Sequence, residues 1–444
     1  MRKLRLLAVL AAIVAVGCQQ ENFDEVVLPD NDTIAVEQSG FRSYDEALEI
    51  AENSIRLIEG KDVTRSTMKR RIIKNNVQTI RSNATRSGNT SDDPVAYVIN
   101  FEDNQGFAVI AANEQINPLI AVTESGNYTY GEPTGVEAFD DYMDNAISTL
   151  AIVHPPITLP DDPITPTPGL IADTVDIFSR VDPLLTTRWD QGGIYGAYCP
   201  NGLCGCAATA FGQIMTYHRH PFSISYTFKS IPISTYLNWD NIAKHDFGGY
   251  ASNVCSCGCD YTSIGNILRE VGERFDMRYH TAEPSDESVW SGTNNEDIAA
   301  GISTLGYQTP TLLNNFSDSD RDLVFSNLDN HYPVIITGES QNSGHAWVID
   351  GYHNESSGLR YYKSNPLYDP HNPSSSQPEY VFFFSTVVTT RMYHYNWGNS
   401  GICNGWFNLG IYDMNNGVEY DLMNGYYGNY NLKPAIIYNI IPNN

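Results

Sequence analysis

The spacing of hydrophobic positions changes several times along this chain, and each change marks an element. Over residues 43–59, Ala47, Leu48, Ile50, Ala51, Ile55 and Ile58 recur at helical spacing behind Ser43, a favourable N-cap, and predict a helix. Two apolar runs, 96–101 and 106–112, flank a polar Glu-Asp-Asn-Gln and predict a β-hairpin. A further helix is expected around 136–151. From His154 to Pro168 the prolines are too dense for helix or sheet, which predicts an extended linker accessible to proteases. Helical patterns return at 206–218, 261–275 and 294–305. From Pro333 onward, short β-rich runs at 334–337, 347–349 and 381–384 alternate with turns. No internal repeat is visible.

These patterns divide the chain. A polar, acidic stretch over 18–36 reads as a tether, and residues 37–150 as a small α+β unit. Residues 151–180 read as linker, and 181–444 as a larger α+β domain. At 444 residues, two or three domains are expected. The start is distinct: Arg2, Lys3 and Arg5 precede an apolar run from Leu6 to Val16, then Gly17-Cys18. That run is too short to span a bilayer, and the arrangement predicts a lipoprotein signal over 1–17 with lipidation at Cys18. Gln19 after that cysteine favours, by analogy with diderm lipoproteins, the outer membrane or cell surface, with release after maturation as an alternative. A formal charge of −26 argues against a nucleic-acid partner. The charge is uneven, since Arg65, Lys69, Arg70, Arg71, Lys74, Arg81 and Arg86 cluster almost free of acids. Two readings stand for that stretch: a segment complementary to an acidic enzyme domain, or a solvated helix face.

The chemistry concentrates in three segments. Residues 205–218 place Cys206 directly after Gly205 at the head of a small-residue helix, where unpaired N–H groups and the helix dipole favour thiolate. Residues 344–351, Gly-His-Ala-Trp-Val-Ile-Asp-Gly, form a short strand entered through His345, and Asn396-Trp397 precede a glycine turn. Cys206, His345, Asn396 and Trp397 supply a nucleophile, a base, an orienting group and cover from water. Upstream, Gln191 offers a side-chain amide to join the Cys206 N–H as an oxyanion hole.

This constellation resembles the streptopain family of papain-like cysteine peptidases, in the form found in Bacteroidetes lipoproteins. The motif Gly205-Cys206-x-Ala208-Thr209-Ala210-x-x-Gln213-Ile214-Met215-x-Tyr217-His218 carries the likeness without a gap, supported by Gly-His-Ala-x-Val-Ile-Asp-Gly and Asn-Trp-Gly. The resemblance implies a papain-like catalytic domain of two subdomains behind a small α+β inhibitory prodomain. It implies Cys206 as nucleophile, His345 as general base and acid, and Gln191 as oxyanion donor. Asn396 would orient the imidazole and Trp397 would cover the His–Asn hydrogen bond. Gly344 and Ser285 are the candidate substrate contacts, Ser285 by its place after Tyr279. Departures from the family pattern fall at 190–196, in the polar run at 364–378, and at Asn399-Ser400. A preference for a bulky apolar residue two positions before the cut is also implied.

The function expected is therefore a secreted, lipid-anchored cysteine endopeptidase made as a zymogen. Its partners would be protein or peptide substrates, its own prodomain, and the membrane through Cys18; no cofactor or metal is expected. The alternatives are an acyl-transferring enzyme with the same triad and a catalytically silent surface binder. For Cys199, Cys204, Cys255, Cys257, Cys259 and Cys403, disulfides are the first expectation in an exported chain, with free thiols or a zinc site as alternatives. The Asp318-x-Asp320-x-Asp322 series lacks the glycine and glutamate of a calcium loop and reads as the acidic start of a helix. His218 and His220 read as helix C-terminal residues rather than metal ligands.

Overall fold

The computed structural model describes residues 40–60, 64, 66–81, 85–86, 89–90, 93–114, 116–152, 171–228, 231–243, 261–282, 288–339, 344–364, 380–385, 388–408 and 434–443. Cys18, Ser285, Cys255, Cys257, Cys259, most of the Pro-rich linker and nearly all of the run at 364–378 lie outside them.

The first expected helix is α1, Tyr44–Glu59. Ser43 caps it reciprocally: Ser43 Oγ accepts from the Glu46 amide at 3.3 Å, and the Ser43 amide donates to the Glu46 carboxylate at 2.7 Å. Such a box occupies two groups that a helix start leaves unpaired, worth about 1 kcal/mol. Behind it, the part of the basic stretch from Lys74 to Arg81 is strand rather than helix face: β1, Ile72–Arg81, pairs antiparallel with β2, Pro94–Phe101. The expected hairpin follows as β2 and β3, Phe107–Ala111, and then β4, Leu119–Thr123. Side chains alternate across this meander, as strand geometry requires. Tyr97, Ile99, Ala108 and Ile110 pack under α1, while Ala96, Val98, Phe107 and Val109 face the opposite side with helix α2, Glu137–Ile152.

The linker expected over 151–180 is shorter at both ends. Helix α2 reaches Ile152, and residues 171–181 form strand β5 rather than extended linker. The C-terminal half continues with α3 (Cys206–His218), α4 (Tyr261–Arg274), a small hairpin of β6 (Arg278–His280) and β7 (Trp290–Gly292), and α5 (Asn295–Ser303). Next come β8 (Thr311–Asn314), α6 (Arg321–Asp329), β9 (Val334–Glu339), β10 (Gly344–Ser364), β11 (Val388–Asn396), β12 (Gly405–Asn408) and β13 (Ala435–Tyr438). The acidic series at 318–322 does start a helix, through a short 3-10 turn capped by Ser317. Strand β5 pairs with the far part of β10, an interaction no local pattern announces.

The two halves share one sheet. Its order is β1-β2-β3-β4-β12-β11-β10-β9-β13-β8, and the junction is the antiparallel pair β4–β12, with Thr123 opposite Gly405 and Ala121 opposite Phe407. A Cβ on Gly405 would collide with the Val122 carbonyl, so the approach of these strands requires glycine there. The core beneath is shared as well. Phe139, Tyr142 and Met143 of α2 lie in one buried cluster with Trp347, Tyr395, Trp397 and Phe407 of the C-terminal half. A second core packs α3 and α4 against the opposite face of β9 and β10. Helices thus collect on the thiol side and strands on the imidazole side.

Candidate active site

Helix α3 begins at Cys206 itself. Gly205 ahead of it has φ 88°, and a Cβ there would press on Met277 and Ser291 at 3.1–3.2 Å, so both backbone and space require glycine. Ala207, Ala208 and Ala210 are buried in the core under α3, so their small size serves packing there. His345 enters β10 opposite Gly338 of β9, and Gly344 before it is exposed at the end of that pairing.

The topology brings the half-buried Cys206 and His345 together across the two halves of the catalytic domain. Burial pushes the thiol up. The charge of His345, its hydrogen bond to the sulfur, and the Ala346 and Ala207 amides outweigh that and leave Cys206 below its ordinary value. Burial likewise lowers His345, but the charge and hydrogen bond of Cys206, the Trp397 carbonyl and the Glu137 carboxylate raise it on balance. Each group thus favours the charged form of the other.

The orienting contact differs from the expected one. A ring nitrogen of His345, Nε2, lies 3.4 Å from the backbone carbonyl of Trp397. Asn396 turns elsewhere: Nδ2 donates to Thr187 O at 2.8 Å, and Oδ1 accepts from Gln213 Nε2 and the Gly398 amide, each at 3.2 Å. The Trp397 ring does not cover a His–Asn bond either. It is buried, 5.0 Å from Trp347 between ring centroids, with Nε1 donating to Cys403 O at 2.9 Å. Trp347 is the aromatic ring stacked on His345, at 6.4 Å. Asn396 and the Trp397 ring therefore brace the turn that presents the carbonyl.

Gln191 sits beside the nucleophile through its backbone. Its carbonyl accepts from the Cys204 amide at 2.9 Å, and its amide donates to Asp190 Oδ1 at 2.6 Å. Asp190 Oδ2 accepts from Ser400 Oγ, the Ser400 amide donates to Trp189 O, and the Trp189 amide donates to Gln213 Oε1 at 3.2 Å. Segment 189–191, helix α3 and the turn after Trp397 are thereby tied together. Asp190, Gln213, Thr187 and Ser400 were not singled out as site residues. The detectable signal is Gln213, the one amide side chain in a helix of mostly small and apolar residues, which when buried must find a partner.

Cys199, Cys204 and Cys403 are free, buried thiols, so the disulfides first expected for them are not formed. Burial pushes Cys403 up to about 12, and it holds Cys204 high despite a contact with Thr209 Oγ1 at 3.2 Å. Cys206 is the one described cysteine whose thiolate is favoured.

Residues 189–368 match the Peptidase C10 family, and residues 36–147 match the Spi protease inhibitor family. The chain thus carries a cysteine peptidase segment like that of the Peptidase C10 (streptopain) family, behind an inhibitor-like one. The first match holds Cys206 and His345 but ends before Asn396 and Trp397. The peptidase is 22% identical to streptopain of Streptococcus pyogenes over 345 residues, covering 70% of this chain and 73% of streptopain. It is 21% identical over 343 residues to thiol protease/hemagglutinin PrtT of Porphyromonas gingivalis, covering 72% of this chain but only 34% of that protein. The fold is that of a prointerpain A fragment from Prevotella intermedia, with a TM-score of 0.51 at 20% identity over 83% of this chain and all of the other. The peptidase thus carries an inhibitor-like domain ahead of the catalytic one, in an α+β fold.

Proposed function

We propose that this peptidase is the exported, lipid-anchored zymogen of a cysteine endopeptidase whose working groups are a Cys206 thiolate and a His345 imidazolium. The observation that carries the reading is the thiol at the start of α3 facing an imidazole held by the Trp397 carbonyl. In the reaction, Cys206 Sγ attacks the scissile carbonyl carbon, and its electron pair moves onto the oxygen. The resulting oxyanion rests against the Cys206 N–H and the Gln191 side chain. His345 gives its proton to the leaving amine, and the C–N bond breaks. A water then attacks the thioester, His345 takes its proton, and the acid leaves with the thiol restored. The N-terminal half would restrain this chemistry until removed, a reading supported by its match to the Spi protease inhibitor family and by the core it shares with the catalytic half. Anchoring rests on the signal pattern and Cys18 alone.

The test is a stoichiometric label on Cys206 by a thiol-reactive peptide epoxide, with peptide-bond cleavage measured alongside. Wild type and Cys204→Ala should label and cleave, whereas Cys206→Ala should do neither. Labelling with transfer to an added amine, in place of hydrolysis, would shift the reading to acyl transfer. Absence of labelling in the processed protein would refute it. Incorporation of a fatty-acid analogue that survives Cys18→Ser would remove the lipid anchor from the proposal.

A further inference from the structure

A buried charged cluster sits at the seam between the two halves, apart from the thiol and imidazole. His394 of β11 is 3% exposed, and its Nδ1 lies 2.6 Å from Oδ1 of the fully buried Asp350 on β10. Asp350 is otherwise satisfied from one side: Oδ2 accepts from the Leu185 amide at 3.0 Å, and its carbonyl accepts from the Leu184 amide. The second ring nitrogen of His394 points the other way, out of the catalytic half. It has no directed hydrogen bond, but it lies 3.4 Å from Oε1 of Glu124, the residue after strand β4. The Trp406 ring packs on His394 at 5.2 Å, and the Arg180 guanidinium covers that ring at 4.7 Å.

Glu124 is held for this contact. Its amide donates to Asn404 O at 2.8 Å, which extends the β4–β12 pairing by one step, and its carbonyl accepts from Arg70 Nη2 at 3.1 Å. Burial alone would raise its carboxyl. The adjacent His394 at 3.4 Å, then the charges of Arg70 and Arg188, lower it instead. Burial would likewise discharge His394, yet Asp350 and then Glu124 raise it to about 10. A buried imidazolium with one nitrogen committed to Asp350 leaves the other to be met from outside the catalytic half, and a carboxylate there favours the charged ring.

We propose that His394, held by Asp350, is a carboxylate-recognition site on the catalytic half, and that Glu124 is its built-in ligand in the intact chain. The inference rests on reading residues 37–150 as a removable prodomain. The strand pairing β4–β12 supplies adhesion without side-chain identity, and the carboxylate supplies the selection. Once the N-terminal half departs, the same nitrogen and the β12 edge stand open together. Any extended segment that docks there in its place must then present an acidic side chain one residue beyond the paired stretch.

The test uses the intact chain in a Cys206→Ala background, so that its outcome does not depend on peptidase activity. Hydrogen exchange is read at the amides of residues 119–124, which report opening of the seam. Glu124→Gln should raise their exchange about fivefold, the effect of losing a partly exposed charge pair of about 1 kcal/mol. It should also abolish the rise in exchange that wild type shows between low and high salt. Glu132→Gln, an exposed carboxylate change elsewhere in the same half, is the control and should leave both unchanged. Wild-type exchange and salt response in Glu124→Gln would overturn the proposal, as would an equal effect of Glu132→Gln.

Discussion

Phe139→Ala should loosen the N-terminal half without touching a catalytic group. Phe139 is fully buried on α2, with ring centroids 5.7 Å from Phe107, 5.2 Å from Tyr128, 6.2 Å from Trp397 and 6.1 Å from Phe407. Removing a buried phenylalanine costs about 3–5 kcal/mol, including the cavity left behind. Two of its four aromatic neighbours belong to its own half and two to the catalytic half, so about half the cost falls on the contact between them. About 2 kcal/mol there corresponds to a roughly 30-fold larger fraction of chains with the N-terminal half displaced. Hydrolysis of a small fluorogenic peptide by the uncut chain reads that fraction. Phe139→Leu keeps most of the volume and should raise the rate only about fivefold, for about 1 kcal/mol. If Phe139→Ala folds by circular dichroism and its uncut activity equals wild type, the shared aromatic core is not what restrains the enzyme.

Asn396→Ala should cost about 1–3 kcal/mol of stability by stranding the Gln213 amide and the Thr187 carbonyl. It should lower kcat less than His345→Ala does, because the Trp397 carbonyl behind the imidazole is backbone; equal losses in kcat would return the orienting role to Asn396. For kcat/KM of the processed enzyme, activity should appear as pH rises through the depressed Cys206 value. It should disappear as pH rises through the raised His345 value, so the acid limb lies below an ordinary thiol and the alkaline limb above an ordinary imidazole. An acid limb near 9 would contradict that pairing. Gln191→Ala should reduce turnover about 10²–10³-fold if its amide completes the oxyanion hole; unchanged turnover removes it from the site. N-terminal sequencing of the active form should place the cut between Ile152 and Ile171, since α2 and β5 occupy the flanks; a start before Tyr97 would mean the hairpin stays with the enzyme.

Much of this architecture is legible locally. The 3.6-residue spacing behind Ser43, the hairpin around Glu102 and the helix opened by Cys206 are each written within about fifteen residues. Strand β5 is not, because its partners at 352–362 lie far along the chain and no repeat of its own announces them. The same holds for the seam β4–β12 and for the meeting of Glu124 with His394, which only the folded sheet places side by side. At the site, side-chain chemistry pointed to Cys206 and His345. A backbone carbonyl has no letter in the sequence, so the Trp397 carbonyl that lies 3.4 Å from His345 could not be read there, whereas the Asn396 side chain could.

The single sheet also has a consequence for how the molecule is born. Strands β1 to β4 are synthesised first and can assemble from neighbouring segments, whereas β12 must find β4 across most of the chain's length. Pairings of such long range are slow, because closing the loop precedes any reward. An edge already formed shortens that search by offering β12 a template. If the linker is cut and that template discarded, the expectation is an enzyme that holds its shape by the height of its unfolding barrier. Processed enzyme unfolded in urea should therefore regain activity poorly after dilution, while the uncut chain refolds. Equal recovery would show that the catalytic half finds its sheet unaided.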